Sequence, residues 1–422
     1  MARTHRCLGA LVLLATACVL HAEAATVVLS CGSVGQELQI CQGGAAAWRR
    51  ETGHDVIVVA SPGSATERLA LYQQVLAAGS PDIDAYAIDV IWPGLLASHF
   101  IDLARRVDPA ALEAHFPAII AASTVRGRLV ALPLYTDAAL LFYRADLLDK
   151  YGLRPPATWD ELAAQATQVL AAERATGNRD LQGFVWQGKA YEGLTVNALE
   201  WIASSGGGTI VEADGTITID NPGAVQAVQR AAAWVGGISP TGVLNYAEEE
   251  ARGVFQSGRA VFMRNWPYAW ALAQGEGSPV RGKVGVVPLP TDGAANRPRA
   301  VLGGWQLAVS KYSRNQEAAI ALVTFLTGAA EQKRHAVAYG YQPTIPALYR
   351  DPEVLRALPF QVEGVFDTAV ARPSRATGAL YNQASSQFFN AVHAVLEGHG
   401  SAQERLAALA RQLERLSRGG RW

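Results

Sequence analysis

The chain has 422 residues, half of them hydrophobic and 17% charged, with a formal net charge of −1. That length exceeds a single ordinary core, so two lobes are expected, and the composition excludes a disordered chain. The near-zero charge removes the concentrated basic field that nucleic-acid binding requires, and it fits a neutral ligand.

Residues 1–24 read as a secretory signal. Arg3, His5 and Arg6 make a basic start, residues 8–20 are almost continuously apolar, and Ala22–Glu23–Ala24 supplies small residues for cleavage. The apolar run is too short for a stable span, and no later segment reaches the roughly 20 apolar residues a membrane helix needs. A free periplasmic protein is therefore expected, with lipid anchoring at Cys18 as the alternative. Cys7 and Cys18 leave with the signal, so Cys31 and Cys41 remain. In an oxidising compartment such a pair suggests a disulfide, the alternative being two small buried thiols. The histidines are scattered without paired spacing, and no metal or cofactor is expected.

The mature chain opens with a strand over 26–30, a glycine-containing loop, a helix over 37–52 and a strand over 55–60. Ser64 and Glu67 form a capping-box signal for a helix that Gly79 stops. A strand over 85–91 then ends in Asp89, Ile91 and Trp92. Strands alternating with helices predict α/β layers with a largely parallel sheet. Ligand groups in such sheets come from the carboxyl ends of strands, here 33–36, 61–63 and 89–92.

Residues 127–137 read as an extended crossing into a second lobe. There, Thr158 and Glu161 cap a helix that Gly177 stops, and a strand follows over 183–187. An apolar helix around 194–204 ends in three glycines. These lack the Lys-Ser/Thr of a phosphate loop and serve as a turn. A strand over 284–289, a return crossing over 302–310 and a helix over 315–326 come next. A third crossing at Ala371–Arg372–Pro373 leads to helices over 382–397 and 402–416. The expected organisation is one lobe of 25–134 with 308–370, a second of 135–307 with 371–422, and a hinge of several strands.

Two clusters suggest a ligand site. The stretch 264–270 (RNWPYAW) packs three large aromatics, an arginine and an amide beside a proline, and 302–306 (LGGWQ) follows in the same half. Trp and Tyr pair flat apolar faces with polar edges, which suits a sugar ring. Glycines let such a ring approach the backbone. Any one of these aromatics could equally fill a core.

With these segments in hand, the chain resembles an extracytoplasmic solute-binding protein of a carbohydrate ABC importer, nearest the trehalose/maltose-binding branch. The resemblance covers nearly the whole mature chain. It is carried by ALPLYTDAALLFYRADLLDKYG (131–152), GFVWQGKAYEGL (183–194), MRNWPYAWAL (263–272), GKVGVVPLP (282–290) and VLGGWQLAVSKYS (301–313). It implies a monomeric bilobal clamp that closes on a small disaccharide and works with a permease and its ATPase. Carried over by position, the first-lobe contacts are Glu37, Arg68 and Asp89, with Tyr135 and Asp137 at the first crossing. Trp266 and Tyr268 are the aromatic contacts of the second lobe. Gly303, Gly304 and Trp305 match the segment that closes over the ligand, and Arg372 the basic contact at the last crossing. The Cys31/Cys41 pair beside Glu37 departs from the pattern, which also dissolves after Pro373.

Elementary chemistry supports the same residues. Carboxylates can each accept from two neighbouring hydroxyls, while arginines neutralise them and donate to sugar oxygens. Taken singly, Asp137 could cap a helix, Glu37 could favour a helix N-terminus, and Arg68 could be solvated. The rival class is a glycoside-acting enzyme with a carboxylate pair. Against it, each carboxylate sits near a candidate arginine, nothing obvious raises a pKa, and neither a nucleophile elbow nor metal-ligand spacing is present. An adhesion module would leave the aromatic clusters and the three crossings unexplained.

Overall fold

The computed structural model describes residues 24–293, 297–360 and 369–422. The signal sequence and Cys18 lie outside the described residues.

The first lobe is built on a five-stranded sheet. Its strands are β1 (Thr26–Cys31), β2 (Asp55–Ala60), β3 (Ala85–Asp89), β6 (Leu132–Ala138) and β11 (Leu302–Val309), in the order β2-β1-β3-β11-β6. A short hairpin of β4 (Thr124–Val125) and β5 (Arg128–Leu129) leads into β6. The second lobe carries β7 (Leu140–Arg144), β8 (Gln182–Val185), β9 (Ala260–Asn265) and β10 (Val284–Val287), ordered β10-β7-β9-β8.

The expected largely parallel sense holds with one opposed strand in each sheet. β1 runs parallel to β2 and β3, but β11 is antiparallel to both β3 and β6. In the second sheet only the β8–β9 pair is parallel; β7 is antiparallel to β9 and to β10. The physical reason is topological. Strands reached through a right-handed helical crossover align parallel, whereas strands that return from the other lobe arrive antiparallel.

Each sheet is covered on both faces. Along β3, Ala85 and Ala87 join one core with Ile40, Trp48 and Leu322, while Tyr86 and Ile88 join another with Tyr72 and Trp92. This is the alternation a strand buried on both sides must show. In the second lobe, Trp159, Phe184, Trp186, Trp201 and Trp234 share a core with Phe388, Val392 and Leu406 of the two C-terminal helices, Tyr381–Leu396 and Ala402–Leu416.

Local signals account for several helices. Thr158 and Glu161 complete their reciprocal cap on the helix Trp159–Ala175. Ser64 accepts from the Glu67 amide to start the helix Ala65–Ala77, but the Glu67 carboxylate reaches Lys189 of the other lobe at 3.2 Å. Cys31 and Cys41 are joined as a disulfide, with Cα atoms 6.5 Å apart.

The chain passes between sheets at Ala138–Ala139–Leu140, again between β10 and β11, and a third time beside Val370. There the Val370 amide donates to the Ala300 carbonyl (2.8 Å) and the Leu302 amide donates to the Val370 carbonyl (2.9 Å). Both lobe boundaries expected near 134 and 307 fall inside strands of the first sheet.

Candidate functional site: a cleft between the lobes

The register of the first sheet builds one wall. Trp305 of β11 pairs with Asp89 of β3 on one side and with Tyr135 of β6 on the other. Residues paired across strands share a face, so a carboxylate, an indole and a phenol stand in one row. Two positions along, Gly303 pairs with Asp137. A Cβ on Gly303 would lie 2.9 Å from the Trp266 ring, so its absence lets the second lobe's indole close over this wall. Gly304 has φ +123°, and a side chain there would strike the Tyr135 carbonyl at 2.6 Å.

The cleft between the walls leaves only about 60 Å³ of free space. Ten of the eleven candidate residues line it: Glu37, Asp89, Tyr135, Asp137, Trp266, Tyr268, Gly303, Gly304, Trp305 and Arg372. The eleventh, Arg68, lies immediately behind. It is fully buried, which removes the solvated reading.

The buried charges divide into paired and unpaired. Arg68 donates to Glu37 (Nη2–Oε2 3.1 Å) and to the Pro62 carbonyl (2.9 Å). Glu37 also accepts from the Val34 amide at 3.1 Å and from the Tyr135 hydroxyl at 2.5 Å. Arg372 grips Asp89 with both nitrogens (2.7 and 3.3 Å) and reaches Glu192 at 3.0 Å. Asp137 stands apart: it is buried in β6, where it caps no helix, and its Oδ1 has no hydrogen-bond partner. Burial, and then the charges of Glu37 and Asp89, raise its pKa well above the usual aspartate value against the pull of Arg264. This corrects the expectation that no carboxyl is perturbed. It is a carboxyl waiting for a donor.

Both tryptophans are backed by guanidinium groups. Arg68 lies 3.8 Å from the Trp305 centroid, and Arg264 lies 4.2 Å from that of Trp266. Trp305 also meets Trp92 edge-on at 5.3 Å. Arg264 is itself held by a two-pronged pair with Glu200 (2.8 and 2.7 Å) and by Gln187 at 2.9 Å. Tyr268 donates to Glu249 at 2.6 Å and stacks on Tyr341 at 6.0 Å.

The stretch 264–270 therefore divides. Trp266 and Tyr268 line the cleft, Arg264 and Asn265 are scaffolding, and Trp270 packs on Phe360. Sequence reading missed Tyr191, Glu192, Glu248 and Tyr341, all of which line the cleft. Tyr191 and Glu192 lay inside the segment 183–194 already singled out. However, a glutamate at a helix start reads as ordinary dipole complement. Glu248 opens a run of three glutamates, which reads as a solvated face. Tyr341 carries no local signal; only tertiary contact brings it to Tyr135 and Tyr268.

Three further contacts join the lobes. The Gly35 amide donates to Glu249 (3.3 Å), the Glu192 amide donates to the Thr66 hydroxyl (3.1 Å), and Lys189 pairs with Glu67. Among the described residues, no cluster of three or more His, Cys, Asp or Glu could hold a metal ion.

This two-lobed fold with a cleft of aromatics and buried carboxylates is that of a solute clamp. The model for bacterial extracellular solute-binding proteins matches residues 35–333, more than half of the chain, and the chain belongs to that family. It is 50% identical over 403 residues to a probable ABC transporter-binding protein of Deinococcus radiodurans, covering 95% of this chain and 96% of that one. The maltose-bound MalE3 of T. maritima superposes with a TM-score of 0.87 at 40% identity, covering 93% of this chain and 100% of that one. A tagatose-bound ABC transporter solute-binding protein of Thermotoga lettingae shares the fold, with a TM-score of 0.82 at 22% identity and coverage of 93% and 99%. The chain is thus a solute-binding component of an ABC transporter, not an enzyme. No described helix is long and apolar enough to cross a membrane.

Proposed function

We propose that this protein binds a small disaccharide, an α-glucoside of the trehalose or maltose kind, between its lobes and delivers it to an ABC permease driven by its ATPase. The observation that carries the reading is Asp137. It is a buried carboxyl whose Oδ1 has no partner, in a cleft walled by Trp266 and Trp305. A ligand with ring hydroxyls supplies the missing donor, and its apolar faces match the indoles. The 40% identity to a maltose-bound relative over nearly the whole chain favours a glucoside.

In this reading Asp89, Asp137 and Glu37 read hydroxyls. Trp266, Tyr268 and Trp305 stack on rings, and Gly303 and Gly304 let the ligand approach. Tyr135, Arg68 and Arg372 hold the carboxylates and complete the polar shell. The lobes divide after β6 and before β11 rather than at 134 and 307, with the hinge running through the segments that follow β6, precede β11 and surround Arg372. The mature chain acts as a periplasmic monomer after removal of residues 1–24, with lipid attachment at Cys18 as the variant form.

The test is calorimetry of the purified mature protein against trehalose, maltose, sucrose and other glucosides, with chromatography for released glucose. Saturable binding without turnover, together with a smaller radius of gyration on saturation, is the expected result. No binding across the panel, or glucose release, overturns the reading.

A further inference from the structure

Glu192 was not singled out by its sequence, yet its carboxylate is held by three donors at the cleft. It is buried at the start of the helix Glu192–Ser204 in the second lobe. Both its oxygens already hold protein donors. Oε1 accepts from Tyr381 (2.5 Å) and Arg372 (3.0 Å), and Oε2 accepts from Ser385 (2.6 Å). Its backbone amide donates to Thr66 of the first lobe at 3.1 Å. Asp137, with an oxygen that no donor reaches, is the opposite case.

Arg372 therefore sits between two carboxylates that belong to different lobes. Asp89 ends β3 of the first sheet, Glu192 belongs to the second lobe, and the guanidinium comes from the third crossing. When the lobes part, Arg372 can keep only one of these partners at bonding distance. The carboxylate left behind must then be solvated.

We propose that Glu192 is a positioning residue that orients Arg372 onto Asp89 only when the lobes are together, and so couples ligand contact to closure. The proposal rests on the reading of the cleft as a ligand clamp. Tyr381 and Ser385, both on the helix Tyr381–Leu396, fix the Glu192 carboxylate from behind. The helix Tyr381–Leu396 thereby takes part in the grip, although neither Tyr381 nor Ser385 lines the cleft. A ligand stabilises the closed form only by the difference in its affinity for the two forms, and Glu192 acts on that difference.

Glu192→Gln keeps the side chain's size and removes its charge. The expected result is a loss of about tenfold in affinity, shared by every sugar that binds, with the rank order of sugars unchanged. Spin labels at the exposed positions Arg50 and Arg179, one on each lobe, should show more of the open form at a fixed subsaturating sugar concentration. Tyr381→Phe removes one donor to Glu192 and should move both readouts the same way by less. It carries the test if Glu192→Gln fails to fold. Affinities within twofold of wild type overturn the proposal, and so does a reordering of the sugars, which would make Glu192 a direct ligand contact. If wild type binds none of the sugars, the disaccharide reading fails separately. The coupling is then read from the ligand-free lobe distances, which Glu192→Gln must shift toward the open form; unchanged distances overturn it.

Discussion

Arg68 lies over Trp305, its guanidinium carbon 3.8 Å from the ring centroid, while one of its nitrogens holds Glu37. One buried cation thus supports both an aromatic wall of the cleft and a carboxylate beside it. Removing it should damage fold and binding together. Arg68→Met leaves Glu37 as an unpaired buried charge, for which about 3–5 kcal/mol of destabilisation is expected. Urea unfolding of wild type and variant measures it; a loss below about 1 kcal/mol would show that Glu37 finds another partner.

Asp137 should behave in the opposite sense. An unfolded aspartate releases its proton near pH 4, whereas burial makes Asp137 keep its proton to higher pH. The native state therefore binds more protons across that window, and stability is lost as pH rises through it. Asp137→Asn removes this loss. At pH 7 the variant should be more stable than wild type by about 1 kcal/mol, with the gain shrinking toward pH 4, while sugar affinity falls. Equal stability of the two proteins at pH 7 would refute the assignment of an uncompensated carboxyl.

The two neighbouring glycines should fail differently. A Cβ at Gly303 is crowded by the Trp266 ring, at 2.9 Å, and meets Asp137 at an ordinary contact distance, so Gly303→Ala should displace the indole and weaken binding with little change in stability. At Gly304 the obstacle is backbone and φ is +123°. Gly304→Ala should therefore destabilise the protein by about 1–3 kcal/mol. Thermal unfolding paired with calorimetry separates the two, and identical behaviour would count against the geometry.

Aromatics and carboxylates should also divide selectivity. Trp305→Ala removes apolar contact and should weaken many sugars alike. Asp89→Ala leaves ligand donors unmatched, at about 1–3 kcal/mol for the cognate hydroxyl pattern. It should spare a deoxy analogue that lacks the hydroxyl. Calorimetry of both variants against such a pair decides, and a uniform loss in Asp89→Ala would remove its role as a reader.

The Cys31–Cys41 bond closes a short loop, with a sequence separation of 10. Its removal by paired serine substitutions should cost about 2–3 kcal/mol on the chain-entropy model. Intact-mass analysis of unreduced periplasmic protein after alkylation checks the bond itself, and two alkylated thiols would disprove it.

Much of the architecture was legible because its causes are local. The helices Glu37–Thr52, Trp159–Ala175 and Ala402–Leu416 follow from apolar spacing, caps and stops that act within a few residues. The aromatic and glycine clusters were visible as composition, and the family pattern pointed to residues that the cleft does bring together. What the sequence could not decide was sense and partnership. Whether β11 runs parallel or antiparallel depends on where the chain has been before it returns. That same register places Trp305 between Asp89 and Tyr135. Glu192 carried no signal of its own, and Arg68 could have been a solvated cation had packing not buried it. Asp137, unlike Glu37 and Asp89, makes no ion pair with an arginine among the described residues, a distinction no spacing encodes. Helices and caps come from contacts a few residues apart. Burial, charge pairing and the unsatisfied carboxyl come from residues far apart in the chain, 283 positions in the case of Asp89 and Arg372, and only the folded chain assembles them.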